Sequence, residues 1–204
     1  MRPCHWERLW NKALQVHADV LAHRPPNAHF LSTVAELPAG RALDAGCGHG
    51  AESLWLAAHG WHVTAVDFSE TALAHARSAA EALEPTVSGR VEWDQGDLGN
   101  WTPESNRYDL VICLYVHVAG SVVGLVHRLS AGVAPGGTLL LVGHRPIDPA
   151  TGAPTPAAGQ VQVSVEEALA ALDPDLWTVV VAEDRPRREA GSGVDAVIQA
   201  IRKG

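Results

Sequence analysis

The chain has 204 residues, 47% of them apolar, which is enough for one folded domain with its own core. No apolar run reaches the roughly 18 residues that cross a bilayer, and the opening MRPCHWERLW lacks the apolar stretch of a secretory leader. A formal charge of -8 repels phosphate backbones and argues against nucleic acid as a main partner.

The three cysteines, Cys4, Cys47 and Cys113, are odd in number and widely spaced. They suit reduced thiols in a cytoplasm better than a disulfide framework. Tryptophan, leucine and valine recur at helical spacing over 5–22, and a shorter helix is expected over 27–36, after Pro25 and Pro26. Arg41–Ala45 reads as a short buried strand. A glycine turn, Gly46–Gly50, then leads into a helix over Ala51–His59 that Gly60 ends. Trp61–Val66 is a second strand, and Ser69 is placed to cap a helix running to about Leu83. Arg90–Asp94 and Tyr108–Leu114 are further strands, and Ser121–Ala131 is a helix. Pro135, Gly136 and Gly137 turn the chain into a fifth strand, Thr138–Gly143. Strand and helix alternating in this way predict a parallel sheet covered on both faces.

The end of the chain departs from that rhythm. Residues 145–160 are rich in proline, glycine and alanine and read as a mobile loop. Ser164 and Glu167 fit a capping box. Leu176–Ala182 and Val194–Ile201 look like strands joined through a turn containing Arg185, Arg187 and Arg188. With no helix between them they should pair antiparallel.

The chemistry concentrates at the strand ends. In Ala42-Leu43-Asp44-Ala45-Gly46-Cys47-Gly48-His49-Gly50 a strand closes on a carboxylate and turns through glycines into a helix. Glycine lets backbone approach a ligand that a Cβ would hold off, and N–H groups at a helix start favour an anionic group. Asp44 is positioned to hold the loop or to reach a cationic amine. Asp67, at the end of the second strand, can accept two hydrogen bonds from a ribose diol. Asp97 and Leu98 follow the third strand and can meet an adenine, with Phe68 on the other face of the base. Each signal alone is compatible with a turn or a helix cap. Three of them at successive parallel strand ends point to a nucleotide-like cofactor. The loop spaces its glycines G-x-G-x-G, not the G-x-G-x-x-G of dinucleotide sites, and Asp44 would oppose a pyrophosphate.

The ordered segments LDAGCGHG, VTAVDFS, GDL, YDLVICLYVH and APGGTLLLVGH resemble the motifs of class I S-adenosylmethionine-dependent methyltransferases. WERLW, WLAAHGW and VDAVIQAIRK extend the likeness to a small bacterial branch, that of tellurite-resistance and thiopurine methyltransferases. The resemblance implies a Rossmann-like, doubly wound α/β fold in a single domain, with an N-terminal helical cap over 1–37 and a core over 38–204. Its seven-stranded sheet would be mostly parallel with the last strand antiparallel. It further implies that Gly46, Cys47 and Gly48 line the methionine part of S-adenosylmethionine, Asp67 binds the ribose, Asp97 and Leu98 the adenine, and that Leu114 approaches the cofactor. S-adenosylhomocysteine would be the product. His49 stands where this branch often carries an acid.

Transfer from a sulfonium needs in-line approach and exclusion of water, and a base only if the acceptor still holds its proton. Tyr115, His117, His144 and Arg145 follow the fourth and fifth strands, where an acceptor would sit. Either histidine could be a base, and Arg145 could hold an anion. Trp6 and Trp10 share a helical face, which packs on the core or folds over the cofactor edge as a lid. None of the eleven histidines forms a compact ligand pair beside a third ligand, so no metal is expected. The acceptor is expected to be a small molecule, and the chain a monomer or homodimer without membrane contact. Two alternatives compete with the enzyme: a protein that binds S-adenosylmethionine without catalysis, and a NAD-dependent oxidoreductase.

Overall fold

The structure is a computed structural model that describes Glu7 and residues 25–117, 120–148, 150–155, 157, 159, 161–186 and 193–204. The expected helix over 5–22, with Trp6 and Trp10, lies outside the described residues apart from Glu7. Arg187 and Arg188 also lie outside them. Seven strands form one sheet in the order β3-β2-β1-β4-β5-β7-β6. Two compact units divide the chain, Met1–Trp101 and Thr102–Gly204.

In the first unit, helix α1 (Ala28–Val34) starts at Asn27, whose side chain accepts from the His29 and Phe30 amides. Strands β1 (Arg41–Ala45), β2 (His62–Asp67) and β3 (Val91–Gln95) pair in parallel. Helix α2 (Ala51–Ala58) connects β1 to β2, and Gly60 ends that crossover at φ +91°. Ser69 caps α3 (Glu70–Glu81), accepting from the Ala72 amide as its sequence position foretold. A short helix not foreseen from the sequence, α4 (Pro85–Ser88), begins with proline in its first turn, where a missing N–H costs nothing. Leu43, Leu56, Leu73 and Val66 are fully buried between these layers.

In the second unit, β4 (Tyr108–Leu114) pairs in parallel with β5 (Val133–His144). Helix α5 (Val122–Gly132), capped by Ser121, connects them. The Pro135-Gly136-Gly137 turn is an irregularity inside β5 and does not mark its start. Tyr108 pairs with Val133, and the register then jumps to Leu110 with Thr138. Gly136 takes φ +79°, which lets the strand make the excursion. Helix α6 (Val165–Ala171) has the expected box: Ser164 Oγ accepts from the Glu167 amide and donates to the Glu167 carboxylate.

Strands β6 (Trp177–Pro186) and β7 (Val194–Arg202) pair antiparallel, and β7 also pairs antiparallel with β5. The antiparallel ending is therefore as expected, but β6 runs further than its apolar residues suggest. Arg185 lies on that strand, ion-paired to Glu183 at 2.5 Å, and not in a turn. Between β5 and α6, Ile147 bridges Pro154, and Asp148 accepts from the Ala150 amide. The described part of 145–160 is thus a tied turn in place of the loose loop expected.

Gly143 lets the chain near Val163 cross close to the end of β5. A Cβ at Gly143 would stand 2.4 Å from the Val163 carbonyl oxygen and 3.1 Å from its nitrogen. The nearest of these atoms is backbone, so movement of the Val163 side chain alone gives no relief. Gly143→Ala should therefore lower stability by about 1–3 kcal/mol. Urea unfolding of the two proteins would measure it, and an unchanged midpoint would show that the 162–163 segment moves aside freely.

Candidate functional site

The first unit gathers its acids on one edge. Asp44 is the penultimate residue of β1, Asp67 the last of β2, and Asp97 lies just beyond β3. The parallel registers Ala45–Val66 and Asp67–Gln95 set these ends side by side. Asp67 is buried, and both its oxygens hold backbone. Oδ2 accepts from the Gly48 amide and Oδ1 from the Ser69 amide, each at 2.9 Å. An ionised carboxylate has about four acceptor positions, so lone pairs remain for a diol. Phe68 is half-buried beside it, and its carbonyl accepts from Gln95.

The glycine loop ahead of α2 is tied to its neighbours through its own amides. The amides of Gly46 and Cys47 both donate to the Val66 carbonyl, at 2.8 and 3.0 Å. The Gly48 amide is held by Asp67. What the loop offers a ligand is bare Cα surface, with positive φ at Gly46 (90°) and Gly48 (52°). Gly50 at φ +84° serves packing, since a Cβ there would meet Trp93 at 2.8 Å. Gly96 likewise makes room for the Trp101 ring. Cys47 is buried, and burial with Asp44 and Asp67 nearby pushes its thiol well up, so it is an inert lining group.

Asp44 is 3% exposed and accepts from the Ser53 hydroxyl at 2.6 Å. It therefore pins the start of α2. Burial, with Glu52 and Asp67 beside it, pushes its carboxyl up to about 8. Burial also raises Asp67, and the charge of Glu7 adds to that. An acidic neighbourhood of this kind favours a ligand with a positive centre and penalises a pyrophosphate. A sulfonium carrying an ammonium group fits it. Asp97 is exposed and accepts from the Gly99 amide, and Leu98 is buried next to it.

The second unit contains the other candidates. Leu114 ends β4 half-buried, opposite Val142. Tyr115 follows at φ +57°, an uncommon backbone for an aromatic residue, with its amide donating to Val142 at 2.7 Å. Its ring stacks on His144 with centroids 4.0 Å apart. Its hydroxyl donates to Asp195 Oδ2 at 3.0 Å, and His144 Nδ1 lies 2.8 Å from Asp195 Oδ1. Asp195 was not singled out from the sequence, and neither was Gln162. Gln162 Oε1 accepts from the His144 amide, and Gln162 Nε2 lies 2.6 Å from His117 Nε2. Burial, then the charge of His144, lowers the His117 imidazole to about 4. Arg145 is ion-paired with Glu166 at 3.1 Å and Asp184 at 3.2 Å. A buried acid early in a C-terminal strand was the only signal for Asp195 in the sequence, and its partner is remote along the chain.

A raised carboxyl makes stability fall with pH. Between its unfolded value of 3.8 and about 8, the unfolded chain releases the Asp44 proton and the folded chain keeps it. Asp44→Asn keeps an acceptor for Ser53 and removes the titration. Its advantage in melting temperature over the parent, without cofactor, should grow from pH 4 to pH 8 and level off above. A gap independent of pH would show that Asp44 is ionised throughout.

Residues 42–137 match the family model described as a methyltransferase domain. Among curated proteins, the ribosomal RNA small subunit methyltransferase C of Alcanivorax borkumensis is 34% identical over 52% of this chain and 33% of its own length. The trans-aconitate 2-methyltransferase of Streptomyces avermitilis is 38% identical over 60% of this chain and 46% of its own. The chain thus matches a third to about half the length of these relatives. A solved S-adenosylmethionine-dependent methyltransferase from Mesorhizobium loti superposes with a TM-score of 0.65, at 22% identity, over 86% of this chain and 98% of that one. The stretch that holds the glycine loop and the strand-end acids, residues 42–137, is thus similar to a methyltransferase domain, and the chain shares the fold of a solved S-adenosylmethionine-dependent methyltransferase.

Proposed function

We propose that this chain transfers the methyl group of S-adenosylmethionine to a small-molecule acceptor by in-line displacement. The observation that carries the reading is the acidic rim of the first unit. Asp44 and Asp67 are buried at adjacent strand ends, beside a loop whose amides are already engaged. That rim suits a cationic cofactor and not a nicotinamide dinucleotide. In this reading Gly46, Cys47 and Gly48 line the methionine part, Asp67 accepts from the ribose hydroxyls, and Asp97, Leu98 and Phe68 receive the adenine. Leu114 and Trp10 would border the cofactor. Tyr115, His117, His144 and Arg145 belong to the acceptor side. When bound, the cofactor supplies an electrophilic methyl; the protein orients the acceptor and keeps water out.

A small acceptor is favoured over RNA, although one relative is named for ribosomal RNA. The formal charge of -8 opposes a polyanion, and the other relative is named for a small tricarboxylate. No helix among the described residues is long and apolar enough to cross a membrane.

Calorimetric titration with S-adenosylhomocysteine and with NAD is the direct test. Binding of the first is expected, and binding of NAD alone would sink the reading. Asp67→Asn keeps one acceptor oxygen for backbone and halves the capacity toward a diol. It should weaken S-adenosylhomocysteine at least tenfold, a loss of about 1.4 kcal/mol. Equal affinity would leave Asp67 as a cap for α3 and nothing more. A methyl-transfer screen with S-adenosylhomocysteine release as readout would then identify the acceptor. Thiols and metalloid oxyanions form one arm of it, as the likeness to tellurite-resistance and thiopurine methyltransferases suggests.

A further inference from the structure

We infer that Asp44 carries a proton in the free protein and gives it up to solvent when the positive methionine end of the cofactor binds, so that cofactor affinity is linked to pH. The inference rests on the S-adenosylmethionine reading above. It goes beyond that reading by giving one residue the task of matching the charge of the rim to the charge of the ligand.

The strand ladder brings two acids to one side of the sheet. Asp44 pairs with Ala65 on β2, and Asp67 lies two residues further along that strand. Paired residues of a parallel ladder share a face, and so do residues two apart on one strand. Asp44 and Asp67 therefore project to the same side, where they are 3% and 6% exposed. Among the described residues, no ion pair reaches either of them. Two buried carboxyl groups placed together without a cation do not both ionise readily, so one of them keeps its proton.

Hydrogen bonding decides which one. Asp67 takes amides from two separate turns, Gly48 on Oδ2 and Ser69 on Oδ1, each at 2.9 Å. Amides held on both oxygens favour the ionised form. Asp44 draws on Ser53 alone, whose hydroxyl donates to Oδ2 at 2.6 Å with help from its amide. Glu52, in the first turn of α2, adds a negative charge beside Asp44, and its carboxylate also accepts from the Asn27 amide at 2.9 Å. Burial, then Glu52 and Asp67, push the Asp44 carboxyl up to about 8, in agreement with this assignment.

The titratable groups around Asp44 come from three places. Helix α2 contributes Glu52, and the end of β2 contributes Asp67 with Glu7 acting on it. The loop after β1 contributes Cys47 and His49, and burial with the same two aspartates keeps the Cys47 thiol protonated. Gly46, Cys47 and Gly48 line the methionine part in the reading above, so its positive charge comes beside Asp44. That charge offsets the repulsion among Asp44, Glu52 and Asp67 and lowers the carboxyl toward the ordinary carboxylate range. The O–H bond of Asp44 breaks, its electron pair stays on oxygen, and the proton passes to water. The free protein then holds a proton that the complex lacks, so affinity rises with pH by up to about tenfold per unit. The rise ends above about 8, where the free protein has lost the proton too. A ligand bringing phosphates to the same place would act in the opposite sense and keep the proton on Asp44.

Calorimetric titration of the full chain with S-adenosylhomocysteine, in buffers of different ionisation enthalpy, counts the protons released. Close to one proton per bound ligand is expected at pH 7. Between pH 6 and pH 7 the affinity should rise close to tenfold. In Asp44→Asn both the release and the slope should fall to near zero. Methylthioadenosine has the ribose and the base without the charged methionine end, and should bind without releasing a proton. Carbon-13 NMR of the parent chain should show the Asp44 carboxyl carbon moving to its ionised position as S-adenosylhomocysteine is added, which decides the matter if Asp44→Asn does not fold. The proposal falls if the parent binds S-adenosylhomocysteine with no proton released, or if Asp44→Asn releases as many as the parent. It falls equally if methylthioadenosine releases as many as S-adenosylhomocysteine. Absence of S-adenosylhomocysteine binding by the parent would instead bring down the cofactor reading. The carbon-13 signal of the free chain stands apart from that result, and an Asp44 carboxyl already ionised at pH 6 would overturn the inference by itself.

Discussion

One carboxylate organises the first unit. Asp67 receives the Gly48 amide from the loop after β1 and the Ser69 amide from the turn into α3. Two chain reversals that would otherwise move independently are joined at the end of one strand. Burying an acid is unfavourable unless its oxygens are satisfied, and here backbone does that on both sides. The loop is therefore shaped before any ligand arrives, which reduces the ordering left to binding. Asp44 repeats the arrangement one strand away, holding Ser53 at the start of α2. Local scaffolding thus leaves the rim lined with carboxyl groups, whose ionisation a cationic ligand would favour.

The second unit uses its buried acid in the opposite manner. Asp195 meets a ring nitrogen and a phenol, both with chemistry of their own. Arg145 is held between Glu166 and Asp184. The acids of the first unit hold backbone and a hydroxyl, whereas the acid of the second meets an imidazole and a phenol.

Much of this was legible in the sequence where the cause is local. Glycine at Gly60, and serines at Ser69 and Ser164, mark helix ends because the turn or the cap needs that residue type. All three stand where they were read. Strand-end carboxylates were visible for the same reason. What escaped depends on partners far along the chain. The Pro135-Gly136-Gly137 segment looks like a turn in isolation, and only pairing with β4 makes it an excursion within β5. Arg185 has the composition of a turn residue, but the ladder with β7 keeps it extended. Nothing nearby in sequence reveals that the Val66 carbonyl takes two of the loop amides. Asp195 was missed because its meeting with His144 is set by strand register, across 51 residues.

That register has a further consequence. Strand β7 is wedged between β5 and β6, with buried residues along most of its length. Displacing it by a single position would turn each side chain to the other face of the sheet and put Val194 or Ala196 opposite His144. An imidazole would lose its acid in the same event that exposed the core.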